Sequence, residues 1–558
     1  MKKNFWPKIA LLVILAILFV VKGIPLLINY YLNANAEEIV SDMITRTNDF
    51  GGHEVQFGNI RVDYDYRGTF LHLSDVKIQP GETITDVNQI KFNLTLDQAS
   101  LTGFSWTDFF FHNSIHLDSA VIANLTIESI TPPLDSLTIK KETRSDRQGE
   151  DYDEISIDRI RVNKASFENR DSYTDSTRLA IVDLFVSGDD FVLSKADLED
   201  PDALFQVSNV EGYMDQAVVH MNDFRNAIYT KNFSFNTTDK KAEIAQIRMV
   251  NKLEPYDYAQ QFRYETDWIE LENGSLIFDQ LDFLSYLRDG SLSAAKLQVQ
   301  DMRLVIFRDK RKPDDMERRP LMIHEVLREL PIPLDIQEVE ITDGYVSYEE
   351  RPENDAPRTG QIFFDDINAT IQGMTNSTER LTESDEMILK AKGKLIGEGA
   401  INLEVTYFLN DTTGRFLMKG SLGAMNLSGL NKIIEPSTKV ALKDGRINSL
   451  FFNIVADDIE GTGEVIVQYQ NLEIEILDKN FGRDQTVFQR IGSFLANKLV
   501  IKSQNPDRKG ELRKGVVYYP RDQHKFIFKY WWELVLSGLK STITGDDEQD
   551  LRRKAAKS

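Results

Sequence analysis

The chain has no cysteine. That removes disulfides, thiolate metal sites and cysteine nucleophiles together, and it suits an oxidising compartment. Histidine is scarce, at seven residues. Only His112 and His116 stand four apart, a spacing that on a helix can bind a metal. His116, however, belongs to an alternating segment, where that spacing separates the pair by roughly 13 Å, and no metal is expected. No G-x-S-x-G elbow, P-loop or dinucleotide-binding glycine fingerprint occurs. The doublets Asp365-Asp366 and Asp457-Asp458 flank turns and strand ends, where solvated Asp is ordinary. The sequence therefore predicts no catalytic residue and no cofactor. Positive charge is also short: 65 Lys and Arg stand against 88 Asp and Glu, a net charge of −23. A phosphate backbone would be repelled, which excludes nucleic acid as a partner.

What is present is apolar and extended. Hydrophobic residues make up 41% of the chain, with 32 Phe and 19 Tyr, too many for disorder. At 558 residues the chain exceeds one core, so it is several domains or one long repeat. No linker long enough to separate independent globular domains stands out.

Ile9–Val21 is uninterrupted apolar and continues to Ile28 with only Lys22 intruding. About twenty such residues cross a bilayer core. Lys2, Lys3 and Lys8 precede the run and Glu37, Glu38 and Asp42 follow it, which places the N-terminus in the cytoplasm and the rest across the membrane. Ile9, Leu12, Ile14, Leu18, Val21 and Leu27 are the expected anchor residues. A cleaved signal peptide with Ala34-Asn35-Ala36 as its processing site is the competing reading, although roughly fifteen residues between run and site is long for one. Over Tyr30–Arg46, residues Leu32, Ala36, Ile39, Val40, Met43 and Ile44 recur at helical spacing and predict an amphipathic helix capping the first strand.

From Val55 to Leu477 apolar and polar residues alternate, which gives each strand one dry and one wet face. Ile115, Leu117, Val121, Ala123, Leu125 and Ile127 share one parity, as do Ile401, Leu403, Val405 and Tyr407, then Val465, Val467 and Tyr469, with Ile474 beyond Asn471. One unit recurs. Leu334–Arg351 (LDIQEVEITDGYVSYEER) has a near-copy at Glu154–Arg170 and looser copies at Leu297–Arg311 and Trp268–Phe278. Asp343-Gly344 between its apolar runs predicts a hairpin turn. Repeats of one β-unit must stack to bury their apolar faces. At on the order of fifteen residues per strand and turn, the body supplies about 29 strands. Polar excursions at residues 139–153, 308–319, 351–360 and 376–386 read as loops, and Leu321–Leu330 as a short helix stopped by Pro331. Periodicity leaves open whether the dry faces close on each other as a sandwich or line an open trough.

Between Lys479 and Lys540 thirteen Lys and Arg stand against five Asp and Glu. Phe481–Val500 reads as one helix and His524–Gly545 as another, with Phe526, Tyr530, Trp531, Trp532 and Leu534 on or beside its apolar face. Such a helix seats at a membrane interface, or closes an open sheet edge. The expected organisation is an anchor at 1–29, an amphipathic helix at 30–48, a β-region at 49–478, a basic aromatic helical region at 479–545 and a frayed charged tail at 546–558.

These elements together resemble the AsmA-like superfamily of AsmA-, TamB- and YhdP-type envelope proteins of Gram-negative bacteria. The likeness lies in the Lys-flanked anchor, the Tyr30–Arg46 helix, the opening segments GGHEVQFGNIRV and FLHLSDVKIQP, the repeated units and the late meander GKLIGEGAINLEVTYFLNDTTGRFLMKGSL. The resemblance implies a mainly β fold: a transmembrane helix, then an elongated, twisted antiparallel β-groove with a few short amphipathic helices at its ends. It implies a protein of the bacterial inner membrane with its bulk in the periplasm, binding phospholipid acyl chains and meeting an outer-membrane or periplasmic partner. Ile115, Leu117, Leu125, Ile127, Ile401, Leu403, Val405, Tyr407, Val465, Val467, Tyr469 and Ile474 are the candidate groove-lining residues. The alternatives are an assembly factor pairing its strand edges with outer-membrane proteins, and a non-enzymatic envelope scaffold with a closed interior.

Overall fold

The computed structural model describes residues 24–36, 38, 40, 53–65, 68–81, 90–132, 152–195, 206–221, 224–354, 356–477, 481 and 502–556. The anchor residues Ile9, Leu12, Ile14, Leu18 and Val21 lie outside these, as do Ile39, Met43, Ile44 and all of the Phe481–Val500 stretch except Phe481. Among the described residues no helix is long and apolar enough to cross a membrane. The chain is mainly β and divides into two compact units, residues 1–244 and 245–558.

The first unit opens with helix α1 (Ile24–Ala34), which begins inside the expected anchor segment and carries Leu27. Its strands are β1 (His53–Gln56), β2 (Asn59–Asp65), β3 (Gly68–Pro80), β4 (Lys91–Thr102), β5 (Ser114–Leu117), β6 (Ser119–Thr131), β7 (Glu154–Asp171), β8 (Thr177–Ser194), β9 (Asn209–His220) and β10 (Asn226–Asn236). Helix α2 (Trp106–Phe111) precedes β5, with Ser105 accepting from the Asp108 N–H as its N-cap. β1 and β2 both pair with β3, and β3–β4 and β4–β6 are antiparallel. β5 and β6 run parallel to β7, after which β7–β8, β8–β9 and β9–β10 are antiparallel. Strand β11 (Lys241–Asn251) crosses the boundary between the units.

The second unit holds β12 (Asp267–Asp279), β13 (Leu292–Asp309), helix α3 (Ile323–Arg328), β14 (Leu334–Arg351), β15 (Gly360–Thr375), β16 (Glu386–Leu395), β17 (Gly399–Phe408), β18 (Phe416–Leu422), β19 (Met425–Asn426), β20 (Val440–Ala456), β21 (Glu460–Ile476) and β22 (Gly515–Pro520). Helices α4 (Ile527–Thr544) and α5 (Glu548–Ala555) end it. Here too one joint is parallel, β13–β14, among antiparallel neighbours.

Three expectations change. The pairing is mixed, not purely antiparallel. Each parallel joint follows a long polar excursion, residues 132–153 before β7 and 310–333 before β14, because a parallel partner is reached only by a crossover far longer than a hairpin loop. The two best copies of the sequence repeat are therefore the two strands that enter through such joints. Second, Leu334–Arg351 is one continuous eighteen-residue strand, not a hairpin. Asp343 alone takes the left-handed conformation, at φ 53°, and one such residue makes a bulge where a two-residue turn would need two. Strands of up to eighteen residues leave twenty-two among the described residues, against the roughly 29 expected at about fifteen residues per strand and turn. Third, the tail is helical over Glu548–Ala555. Asp547 caps α5 and Arg552 grips Glu460 with two bonds of 3.1 and 3.2 Å.

Helix α4 lies on β21 and β22 through glycines. A Cβ added at Gly515 would stand 2.0 Å from the Gly538 carbonyl oxygen, and one at Gly461 would meet Leu534. Gly515→Ala is expected to cost about 1–3 kcal/mol through overpacking, read as a lowered denaturation midpoint. At the end of β14, Glu350 is buried and accepts from Ser437 Oγ (2.6 Å), Tyr348 OH (3.1 Å) and Lys310. Burial alone would raise its pKa, but Lys310 and the hydroxyl donors hold it below the ordinary value. Its contribution is complete above its unfolded value of about 4.3 and is lost as pH falls through the folded value. Glu350→Gln should therefore lower stability at pH 7 and flatten the acid limb of a stability-versus-pH curve.

Candidate functional site: an apolar sheet face

In β3 the buried residues are Thr69, Leu71 and Leu73, then Val76 and Ile78. The parity slips by one at Asp75, which sits at φ 54°. An extra residue in the left-handed conformation keeps both halves of the strand facing the same side. The same slip occurs at Asn124 in β6 (φ 54°), Lys164 in β7 (φ 57°), Asp183 in β8 (φ 53°) and Asn232 in β10 (φ 52°). Asp and Asn tolerate this conformation better than other side chains.

These residues are in register. Asp75 and Asn124 both stand opposite Asp97 of β4, and Asn124 lies beside Lys164 across the parallel joint. Asp183 and Asn232 both stand opposite Asp215 of β9. A polar row thus crosses seven strands as a crease in the apolar pattern, one-to-one in register at every joint but β7–β8, where the pairing shifts as at a bulge. In the second unit Asp301 and Asp343 (both φ 53°) lie side by side in β13 and β14, with Asp366 (φ 51°) on β15.

Apolar ladders flank the crease. On one side run Ile78, Leu94, Ile127, Phe167, Ile181 and Ala217, and next to them Val76, Leu96, Leu125, Ala165, Leu184, Met214 and Phe233. On the other side run Leu73, Ala99, Ile122, Val162, Val186, Gly212 and Phe235. Directly opposed residues share a face, so the first unit carries one apolar face across β3–β10. At its first end Leu32, Ala36 and Val40 cover it by packing on Val62, Leu71, Leu73 and Val76. Among the described residues little covers the strands beyond β4. No Leu, Ile, Val or Phe of β8 is buried, and Leu94, Leu125, Ile127, Met214 and Phe233 are all half-buried. Such a face is half-open among the described residues.

The second unit repeats the ladder across ten strands: Phe278, Leu297, Val339, Ile371, Leu389, Val405, Met418, Ile454, Gly463 and Val517. There the late strands are covered. Val405 and Val465 are 0% exposed and Tyr407 and Val467 nearly so, in one core with Tyr530 and Leu534 of α4.

The sequence-predicted residues divide accordingly. Leu125 and Ile127 lie on the open face of the first unit. Ile115 and Leu117 are buried in a small aromatic cluster with Phe104 and Tyr152. Val405, Tyr407, Val465, Val467 and Tyr469 are core, and Ile401, Leu403 and Ile474 pack at its margin. Tyr530 and Leu534 face the sheet, Trp531 packs beside them, Trp532 is part-exposed, and Phe526 is the N-cap residue of α4 beneath Arg308 and Arg318. Leu184, Met214 and Phe233 were missed, because the bulges break the alternation that a fixed period seeks. The same slip separates Val121 and Ala123 from the face that holds Leu125 and Ile127. The signal was a phase change at an Asp or Asn between apolar pairs.

One group of potential cation ligands occurs among the described residues: His116, Asp118 and Asp158, with ligand atoms within 4.8 Å of one another. His116 Nδ1 is 2.9 Å from Ser156 Oγ. His112 lies at the C-cap of α2 and pairs with Asp108 at 3.0 Å, so the two histidines form no joint site. No protein-family model matches the chain, and no curated protein matches it.

Proposed function

We propose that the protein binds lipid acyl chains on the open apolar face of its first unit and passes phospholipid along it, as an inner-membrane-anchored periplasmic protein of a Gram-negative envelope. One observation carries this: an apolar ladder runs unbroken across seven strands and, among the described residues, is covered at one end only. Six inter-strand gaps at roughly 4.8 Å make a track of about 29 Å, close to the thickness of a bilayer's hydrocarbon core. Exposing a sixteen-carbon chain to water costs on the order of 12 kcal/mol, at about 0.8 per methylene. The face removes much of that cost and leaves the headgroup wet. Neighbouring rungs are chemically alike, so a bound chain slides between sites of similar energy. No covalent chemistry is required.

A photo-crosslinking residue at Leu125 should form phospholipid adducts in cells, whereas one at Thr126, exposed on the opposite face, and one at the enclosed Val405 should not. Equal labelling at Leu125 and Thr126 would sink the proposal. Leu184→Asp places a charge on the half-exposed ladder, where it is tolerated structurally. It should change the unfolding free energy by no more than about 1 kcal/mol yet abolish adducts at Leu184's neighbour Met214.

A further inference from the structure

The most exposed large apolar side chains of the first unit cluster on two helices. Phe110 and Phe111 of α2 are 65% and 81% exposed, and Leu26, Leu27, Tyr30 and Tyr31 of α1 are all more than 60% exposed. The α2 pair sits on a rigid base. Trp106 donates its indole N–H to the buried Thr69 hydroxyl at 2.7 Å. Its ring stacks on Phe110 at 5.7 Å and meets Phe104 edge-on at 4.7 Å. Trp106 also packs against the cluster that Leu32, Ala36 and Val40 form with Val62, Leu71, Leu73, Val76 and Ala99 of the sheet, so α2 is seated at the covered end of the face. Two adjacent, fully presented phenylalanines on a braced helix are not an accident of a loose loop, and water is a poor partner for them.

We propose that α2 is a membrane-seated knob: Phe110 and Phe111 enter the interfacial layer of the bilayer from which α1 emerges, and hold the covered end of the apolar face at the lipid. The occupant follows from position. The apolar run Ile9–Val21 ends two residues before α1 begins, α1 presents Leu and Tyr outward, and aromatic side chains concentrate at the level of lipid headgroups. The inference takes the membrane attachment from the function proposed above, but it stands or falls separately from lipid transfer.

The absence of cysteine makes single labels straightforward. The full chain, reconstituted in vesicles of phosphatidylethanolamine and phosphatidylglycerol, would carry the fluorophore NBD at Phe111→Cys or, as a control, at Asp239→Cys in the exposed turn after β10. Doxyl-labelled phosphatidylcholine should quench the label at 111 roughly two-fold and leave that at 239 unchanged. Emission at 111 that is insensitive to doxyl lipid overturns the proposal, whether the label stands in water or is shielded by another protein. Because NBD is itself apolar, a label at His112→Cys serves as the second test. It should be quenched in the otherwise native chain and not in Phe110→Ser/Phe111→Ser, whose melting temperature should be unchanged. Quenching that survives the double substitution also overturns the knob. Quenching at 111 with no lipid adducts at Leu125 would leave the knob standing and remove the transfer function; the reverse result removes the knob alone.

Discussion

A left-handed residue in many of the long strands, Asp75, Asn124, Lys164, Asp183 and Asn232 in the first unit and Asp301, Asp343 and Asp366 in the second, is the constraint on which the sheet geometry rests. Left-handed backbone costs a residue with a Cβ roughly 1–2 kcal/mol, and the chain meets it mostly with Asp and Asn, whose short polar side chains can bond locally. Lys164 is the exception in the row, and Asp183 lies 3.8 Å from its ammonium. The apolar positions slip by one at the left-handed residue, as from Leu73 to Val76 in β3, so without it half a strand's apolar residues would turn to the wet side. Because neighbouring strands slip at the same level, the pairing stays in register across the row at every joint but β7–β8, and the ladders stay continuous.

The two units use that face differently. In the second, α3 and α4 bring apolar side chains to it. Leu327, Tyr530 and Leu534 complete a core in which Val405, Met418 and Ile454 are sealed. The close seat of α4 depends on small residues, since Gly461, Gly515 and Gly538 let helix and strand approach without a Cβ between them. In the first, α1 covers only the β2–β4 end, and the strands beyond it keep their apolar residues half in water. Hydrophobic free energy left unrealised in this way over many strands is what a binding surface requires and what a scaffold avoids.

The most buried charge pairs of the second unit stand at the ends of strands. Lys525 is buried beside Asp314 and Glu265, Arg308 makes a two-pronged pair with Asp267 at 2.6 and 2.7 Å, and Arg521 reaches Asp458. Glu265 is the member of this group whose burial raises its pKa. These pairs fasten the start of α4 and its approach to the ends of β12 and β13, so the helix is fixed over the core by polar contacts at one end and glycine packing along its length.

Much of this was legible in the residues. Alternation identified β-structure from Val55 to Leu477, helical spacing identified the covering role of Leu32, Ala36 and Val40, and the aromatic stretch after His524 is a helix over Ile527–Thr544. Local chemistry misled at Asp343-Gly344, because a turn and a bulge draw on the same residue types and differ only in how many residues go left-handed. By itself the sequence determined that there is a dry face, since the period of two and the apolar content follow from side-chain identity alone. Whether that face is filled was decided only in three dimensions. Leu125 and Val405 have the same local pattern, and one is half-open while the other is sealed, because covering a face takes an element from elsewhere in the chain. No local period records where α1 stops or where α4 lands.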